Sequence, residues 1–544
     1  MPTDIKSAIP SFERASDRPG QGPPSRLGST TPYAIAVTAL LLVFAVLVFA
    51  PLRSSQRFNY DESDYMYAVS KGFLANYLDN PTLSPATFIK KGLQAVRPAN
   101  WAQLSEFARQ SDDIALYRHY HGPLHFYSIL LARAFLGNAS ERSFRLVPFA
   151  ALLACAVVLF VGSVLVVPNH GGVTGCLCCL FLLTSPTNIE TARWLTPHTL
   201  YIATALVALF MMAKLVQSRD LRYLYASVIF IGIAFTAIEY AVLLVITLLV
   251  TMFVDRPLLA EVRKVGNPYK IAITCISLFL ATVTVLWPGG IFKLTLVKDY
   301  LFFLYFSTVR SAAAYGTSSL ARVWALRAKG SPLEATVLVI FCGLFLWKLL
   351  RKQYTRYLLP FAVYAALVAL TVFRNRSSSP SYISSLLPPL CFVTAALIAD
   401  LLHRHRRAGY LAIALVTSAF IINGYAYAYR PLLRVETSNP TDNVVEVLNN
   451  SREGQKLLVP HNYVPTIHYY HPFDKLTAYP DDWTADQLAH KCRVAQFDGV
   501  VYIGRDYKSL RDLVQTSGVP AISVRLNSDG SEVAFVPVGS YALQ

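Results

Sequence analysis

Repeated long apolar runs constrain this chain more than any other feature of its sequence. A helix needs roughly 20 apolar residues to cross a bilayer. About eleven runs approach that length, at 33–52, 144–167, 172–188, 197–216, 222–238, 240–254, 269–287, 334–350, 357–373, 382–401 and 409–428. Only 15% of the residues are charged, whereas about a quarter is typical of soluble domains. The pattern predicts a polytopic α-helical membrane protein with about 11 transmembrane helices.

The distribution of Lys and Arg predicts the orientation of these helices. The formal net charge is +17, but the cations concentrate in short loops between apolar runs rather than on one polar surface. This is the positive-inside pattern, so we expect no nucleic-acid partner. The densest basic loops are at 214–222, 256–270, 348–356 and 404–407. All four are cytoplasmic if the spans are odd in number, the N-terminus is inside and the C-terminus is outside.

This orientation requires one apolar segment not to cross the membrane. The segment "GPLHFYSILLARAFLG", 122–137, is short, and counting it as a span would place the basic loops outside. We therefore predict a helix on the outer surface there, and a second over 65–77, where apolar residues recur at helical spacing. The loops 53–143 and 288–333 are then external.

The ends of the chain differ in composition from the transmembrane region, 33–429. Residues 1–32 are rich in Pro, Ser and Gly and predict a disordered cytoplasmic tail. Residues 430–544 are more polar and contain five strand-like segments, "KLLVP", "KLTAY", "GVVYIG", "ISVRL" and "EVAFVPV". Helix-like segments, "TADQLAHKCRVAQ" and "YKSLRDLVQTS" (507–517), lie between some of them. This alternation predicts a small α/β domain outside the membrane. No G-x-G-x-x-G or Walker A sequence occurs in it, so no nucleotide chemistry is assigned.

Acidic and basic side chains collect on the predicted outer face. The stretch "RFNYDESDYMY" brings Asp61, Glu62 and Asp64 to the end of the first span. The other members are Arg118, His119, His121, His125, Arg193, His198, Glu239, Arg310, Arg374, Arg376 and Tyr382. Carboxylates beside cations at a membrane boundary fit a reaction on an anionic lipid-linked substrate. One carboxylate would act as general base, and Arg, His and Tyr would hold a phosphate.

Several segments resemble GT-C membrane glycosyltransferases, in particular the branch of protein O-mannosyltransferases and lipid A aminoarabinose transferases. "NYDESDYMYAVSKG" is similar to the Asp-Glu motif of the first outer loop in that family. "HGPLHFYSILLARAFLGNASERSFRLVPF" is similar to its H-x-P-L helix followed by Arg-Leu-Pro. Later similarities are "SPTNIETARWLTPHTLYIATALVALFMM", "GIAFTAIEYAVLLVITLLV" and "SPSYISSLLPPLCFVTAALIAD". They cover about the first 430 residues.

The resemblance implies an inverting transfer of a sugar from a polyprenyl-phosphate donor to an acceptor outside the membrane. Asp61 would deprotonate the acceptor, and Glu62 would orient the acceptor or steady Asp61. The residues expected to bind the donor phosphate are Arg193, His121, Tyr382, Arg374 and Arg310. Two positions depart from the family: Glu239 replaces a usual cation, and His198 stands where Asp is common.

Other interpretations of the same residues stay open at this stage. Asp61 and Glu62 would also suit the N-terminus of a helix as capping residues, and Asp64 suits simple first-turn charge. The spacing of His119, His121 and His125 is compatible with a divalent metal such as zinc. Arg193 suits a structural ion pair, and Arg374 and Arg376 suit interfacial anchors.

Rival functions are a transporter or flippase for a lipid-linked glycan, and an inactive relative that presents its C-terminal domain as a scaffold. A transporter would need charged groups deep inside its spans, along a central path. Here the acids lie at the outer ends. The acceptor is expected to be a protein, lipid or polysaccharide, with membrane lipids as surroundings. A bacterial plasma membrane is favoured over endoplasmic reticulum.

The topology is tested with reporter fusions. We expect fusions at Arg118, Lys298 and Ser438 to report an external position, and fusions at Asp220 and Arg404 a cytoplasmic one. The reason is that the basic loops are all cytoplasmic only if the number of spans is odd. A cytoplasmic signal at Arg118 would contradict the placement of the acidic residues on the outer face.

Overall fold

The structure is a computed structural model that describes most of the transmembrane region and parts of the outer regions. The residues described are 31–49, 57–71, 121–137, 141–265, 267–288, 331–351, 355–375, 383–430, 440–449, 454–460, 463–471, 473–479, 483–495, 497–504, 523–526 and 531–538. The disordered tail proposed for 1–32 falls almost wholly outside them.

Each of the eleven predicted apolar runs contains a helix. In chain order these are α1 (Thr31–Phe49), α4 (Leu146–Val166), α5 (Gly171–Thr184), α7 (His198–Ser218), α8 (Leu221–Phe235), α9 (Val242–Val254), α11 (Pro268–Leu286), α12 (Pro332–Leu350), α13 (Leu359–Asn375), α14 (Leu387–Arg404) and α15 (Arg406–Gly424). The helix α10 (Arg256–Val265) lies in one of the basic loops.

Helix length separates these elements into two groups. Within the described residues, six helices are long and apolar enough to cross a membrane, and α5 with α6 (Pro186–Ala192) makes a seventh if this pair, bent by 66°, is one span. The other four predicted spans are shorter apolar helices. The polytopic membrane architecture is thus supported, while the count of eleven spans stays a prediction.

The bend between α5 and α6 has a local cause. The backbone N–H of Asn188 donates to the Ser185 hydroxyl at 3.4 Å, and Pro186 takes the first helical position. Ser at the N-cap and Pro at N1 are both typical of a helix start. A new helix therefore begins at Pro186, and its far end leads directly to Arg193.

Two surface helices lie close to where the sequence predicts them. The helix α2 (Tyr60–Lys71) begins five residues before the expected start at residue 65, and α3 (Pro123–Leu136) matches the segment 122–137. Their apolar faces meet in one cluster, in which Tyr65, Met66 and Val69 of α2 pack with Phe126 and Ile129 of α3. The helical stripe of α2 therefore faces other protein rather than lipid alone.

The transmembrane core is continuous and rich in aromatic contacts. Phe210, Phe361 and Phe392 form a buried trio whose ring centroids lie 4.3–5.0 Å apart. In contrast, α11 buries a single side chain, Ile271, and exposes apolar residues such as Ile273 and Val285. An apolar surface of this kind is what a lipid environment accommodates.

The C-terminal region contains a five-stranded mixed sheet with the strand order β2-β1-β3-β5-β4. The strands are β1 (Lys456–Pro460), β2 (Lys475–Tyr479), β3 (Gly499–Gly504), β4 (Ser523–Leu526) and β5 (Glu532–Pro537). They coincide with the five segments predicted as strands. The first three are parallel, and β5 runs antiparallel to β3 and β4.

Helices accompany this sheet. These are α16 (Pro440–Leu448), α17 (Val464–Tyr470) and α18 (Ala485–Ala495). The helix expected at 507–517 lies outside the described residues. The boundary at 430 and the position of the sheet outside the membrane stay predictions.

Candidate functional site

The start of α2 is closed by a reciprocal pair of hydrogen bonds. The backbone N–H of Glu62 donates to the Asn59 side-chain oxygen at 2.9 Å, and the backbone N–H of Asn59 donates to Glu62 Oε2 at 3.0 Å. This is a capping box, with Asn59 as the capping residue. The capping interpretation is therefore right for Glu62, but wrong for Asp61 as the N-cap, because Asn59 fills that position.

Glu62 is the most heavily bonded carboxylate of the candidate site. It is 1% exposed. Arg145 donates to it twice, from Nε to Oε1 and from Nη2 to Oε2, both at 2.8 Å. The backbone N–H of Leu195 donates to Oε1 at 2.7 Å. With the bond from Asn59, both oxygens are fully engaged, so Glu62 suits the role of steadying Asp61 better than that of touching an acceptor.

Asp61, the residue that precedes Glu62 on the helix, has the opposite environment. Its side chain is exposed, although neighbouring protein crowds it. This crowding raises the pKa of the Asp61 carboxyl above its usual value; the nearby His121 opposes the shift, and the charge of Glu62 adds to it. A carboxylate that is accessible and has a raised pKa has the properties of a general base.

His121 is held by the residue that departs from the family pattern. His121 Nδ1 lies 3.2 Å from Glu239 Oε2, and the two side chains are 9% and 2% exposed. The chain segments around them are in contact, because Leu124 N–H donates to the Thr236 carbonyl at 2.9 Å. Gly122 permits this approach, since a Cβ atom there would lie 2.1 Å from the same carbonyl oxygen. Glu239 therefore acts on His121 and not as a phosphate ligand.

Two further histidines lie beside His121. His125 is fully buried, and its ring packs edge-on against Tyr65 at 4.8 Å. Burial lowers the pKa of His125 well below its usual value, with smaller effects of the same sign from His121 and His198, so we expect a neutral ring. Among the described residues, no group of three or more His, Cys, Asp or Glu side chains could hold a metal ion. His119 lies outside the described residues.

Arg193, another predicted phosphate ligand, lies in the turn after α6. It follows the last residue of α6, is half-buried, and stands two residues before Leu195, which binds Glu62. Between them, Trp194 has its ring 5.9 Å from the Arg145 guanidinium. His198, at the start of α7, is also buried nearby, 6.3 Å from Tyr240 between ring centroids.

The other predicted phosphate ligands are described only in part. Arg374 lies in the last turn of α13. Tyr382 and Arg310 lie outside the described residues, as do Arg118 and Arg376.

An apolar groove lies between α12, α13 and α14. Its volume is about 560 Å³. It follows α12 from Glu334 to Leu349, a length of about 22 Å at 1.5 Å per residue. Thr187 of α6 lines it too, which joins the groove to the helix that ends at Arg193. Ser331 donates to Glu334 Oε2 at 2.5 Å at its polar end.

Arg145 is a functional candidate that the sequence analysis missed. It is a buried cation at the start of an apolar run, within the segment "FRLVPF", and that position was the available signal. Its partner Glu62 is 83 residues away, so no local pattern connects the two.

With this geometry established, comparison with known proteins shows which structures share the fold. The fold is shared with ArnT from Cupriavidus metallidurans in the apo state, at a TM-score of 0.54 and 14% identity, over 93% of this chain and 98% of that one. The structure of ArnT bound to undecaprenyl phosphate has a TM-score of 0.53 and 13% identity, with the same coverage of both chains. A third similar structure is the archaeal oligosaccharyltransferase AglB from Archaeoglobus fulgidus in complex with an inhibitory peptide and a dolichol-phosphate. Its TM-score is 0.58 and its identity 11%, over 93% of this chain and 74% of that one.

These similarities define the fold as that of GT-C membrane glycosyltransferases, which confirms the resemblance seen in the sequence. Within it, residues 120–287 match the protein family described as dolichyl-phosphate-mannose-protein mannosyltransferase. A comparison with curated proteins found no match.

The ion pair generates the first prediction about the site. We expect Arg145→Ala to lower the free energy of unfolding by about 3–5 kcal/mol, because it leaves Glu62 buried without its cation. Thermal unfolding of purified protein and the yield of folded protein measure this. Arg525→Ala is the matched control, since it removes an exposed pair, 2.8 Å from Glu446, and should change stability little. Equal stability of both variants would contradict the importance of the buried pair.

Proposed function

We propose that this chain is an inverting glycosyltransferase that moves a sugar from a polyprenyl-phosphate donor to an acceptor on the outer side of the membrane. One observation carries the proposal. An accessible carboxylate, Asp61, stands on a helix that a buried ion pair holds rigidly. The similar structures add support, because one is bound to undecaprenyl phosphate and another is in complex with an inhibitory peptide and a dolichol-phosphate.

The reaction follows from the roles of the side chains. Asp61 accepts the proton of the acceptor hydroxyl or amine as that group attacks the anomeric carbon. The new bond forms on the face opposite the phosphate, and the bond between the anomeric carbon and the phosphate oxygen breaks. The polyprenyl phosphate leaves as an anion, so it needs no strong general acid. Cations stabilise its developing charge.

The proposed donor site combines Arg193, His121, Arg374, Tyr382 and Arg310. Arg193 and His121 lie on segments that contact the Glu62 and Asp61 helix. Arg374 ends the helix α13, whose earlier residues line the apolar groove. Tyr382 directly precedes Ile383, which also lines it.

We infer that the isoprenoid chain of the donor lies in this groove. Its length is comparable to most of the hydrocarbon core, which is about 30 Å thick. Its lining is almost wholly apolar, as the tail requires. We propose a bacterial plasma membrane as the location of this multi-pass protein. The sugar, hexose or pentose, and the acceptor, protein, lipid or polysaccharide, are matters for assay.

The central test is Asp61→Asn. Asn59 and Glu62 make the capping bonds of α2, so folding should be preserved, while transfer should fall by about 10²–10⁴-fold because an amide cannot take the acceptor proton. Asp64→Asn is the matched control and should be mild. The assay uses purified protein, a polyprenyl-phosphate sugar and a native acceptor extract. Normal transfer by Asp61→Asn would refute this mechanism.

The same carboxyl predicts a pH dependence. The pKa of Asp61 is raised, so its carboxyl takes up a proton at a higher pH than an ordinary Asp does. The protonated form cannot act as base. Wild-type turnover should therefore fall as pH is lowered through this raised pKa, and the residual activity of Asp61→Asn should lack that acid limb.

Removal of Arg193 tests the donor site. A hydrogen bond to a charged group contributes about 1.5–3 kcal/mol, so Arg193→Ala should weaken use of the donor by about tenfold to hundredfold. Steady-state kinetics with varied donor measure the loss. Unchanged donor kinetics in a well-folded variant would remove Arg193 from the site.

The groove is tested by filling it. Ala366 lines the groove, so Ala366→Phe should raise KM about tenfold for a long-chain polyprenyl donor, since about two isoprenoid carbons would lose their burial. A short-chain donor should be affected much less. Leu370→Phe is the control, because Leu370 lies one turn further along α13, is 66% exposed and does not line the groove. Equal effects on both donors would place the tail elsewhere.

A further inference from the structure

The C-terminal region reaches the candidate active site through one tyrosine. Tyr470 is the last residue of α17, the helix that follows β1. Its hydroxyl donates to Glu141 Oε1 at 2.9 Å and accepts from the backbone N–H of Phe58 at 2.8 Å. Phe58 is 412 residues away in sequence. A single hydroxyl therefore joins two segments of the outer region to the C-terminal sheet.

Both segments bonded by Tyr470 lead directly to the buried ion pair. Phe58 precedes Asn59, which caps α2 and binds Glu62. Glu141 lies in the short helix Glu141–Phe144, and its carbonyl accepts from the backbone N–H of Arg145 at 3.2 Å. The hydroxyl of Tyr470 thus spans the two backbones that carry Glu62 and Arg145.

Aromatic and cationic contacts reinforce this position. The ring of Tyr469 packs edge-on against Phe58 at 5.5 Å, and Phe58 is fully buried with the Arg145 guanidinium 5.5 Å from its ring. The Arg57 guanidinium lies 5.5 Å from the ring of Tyr470. The carbonyl of Arg57 accepts from Arg145 Nη2 at 3.1 Å.

The protonation of Tyr470 suits this arrangement. Burial raises the pKa of its hydroxyl, and the neighbouring Glu141 raises it further. The group keeps its proton at neutral pH and can donate to the Glu141 carboxylate. The Tyr470 hydroxyl consequently donates one hydrogen bond, to Glu141, and accepts one, from Phe58.

We propose that Tyr470 is a positioning residue for sugar transfer: its hydroxyl fixes the start of α2 against the segment that precedes Arg145, and so fixes where Asp61 stands. The inference rests on the proposed function, because it assigns Asp61 as the base. It gives the C-terminal sheet region a role in catalysis without placing any of its residues on the substrate.

The test is Tyr470→Phe, which keeps the ring and removes only the hydroxyl. We expect kcat to fall about tenfold to hundredfold, since displacement of a catalytic group by about 1 Å can cost that much. The KM for the donor should stay the same, because the groove is formed by other helices. Tyr479→Phe is the matched control, because its hydroxyl donates a hydrogen bond to the Val501 carbonyl at 2.9 Å within the sheet, away from α2. It should leave kcat unchanged.

A double variant separates positioning from a general loss of folded protein. In the Asp61→Asn background, Tyr470→Phe should reduce the residual transfer by less than about twofold, because the hydroxyl acts through a carboxylate that is already absent. A purely structural role would reduce both backgrounds by the same factor, and that result would overturn the proposal.

The outcomes also distinguish this inference from the proposed function. Full transfer by Asp61→Asn would remove the base and the positioning role together. An inactive Asp61→Asn with a normal kcat in a folded Tyr470→Phe would leave the proposed function in place and refute the role of Tyr470 alone.

Discussion

The buried pair of Glu62 and Arg145 is the interaction on which the candidate site depends. Removing two charges from water is costly, and such a pair is tolerated only where the remaining hydrogen-bonding capacity is filled. Here the carboxylate also accepts from the backbone of Asn59 and Leu195. The pair therefore joins the start of α2, the start of α4 and the turn after α6 in one geometry, and a slight change in any of the three would leave a buried charge unsatisfied.

Much of the scaffold around this pair is predictable because its signals are local. The length of each apolar run and the spacing of Tyr65, Met66 and Val69 are properties of neighbouring residues, and helices form at all of them. The same holds for the five strands of the C-terminal sheet, whose buried residues lie in short apolar segments. Helix ends are less predictable, since α2 begins at Tyr60, where Asn59 can cap it, and not at the first apolar residue.

The side-chain contacts of the site are not predictable in this way, because the two residues of each contact are distant in sequence. Glu62 needs Arg145, 83 residues away, and Phe58 needs Tyr470, 412 residues away. His121 pairs with Glu239 at a separation of 118 residues. A sequence motif identifies one residue of each contact, but its partner is known only from the folded structure. The substitution of a usual cation by Glu239 becomes intelligible once His121 is seen beside it.

The two adjacent acids of the motif, Asp61 and Glu62, have opposite environments. Successive residues on a helix point about 100° apart, so one carboxylate can face the protein while its neighbour faces solvent. Glu62 faces inward, where Arg145 compensates its charge. Asp61 faces outward, where crowding and the charge of Glu62 together raise its pKa. A neutralised inner partner is needed for this arrangement, since an unpaired Glu62 would strongly oppose ionisation of Asp61. The buried pair thus sets both where the proposed base stands and how readily it ionises.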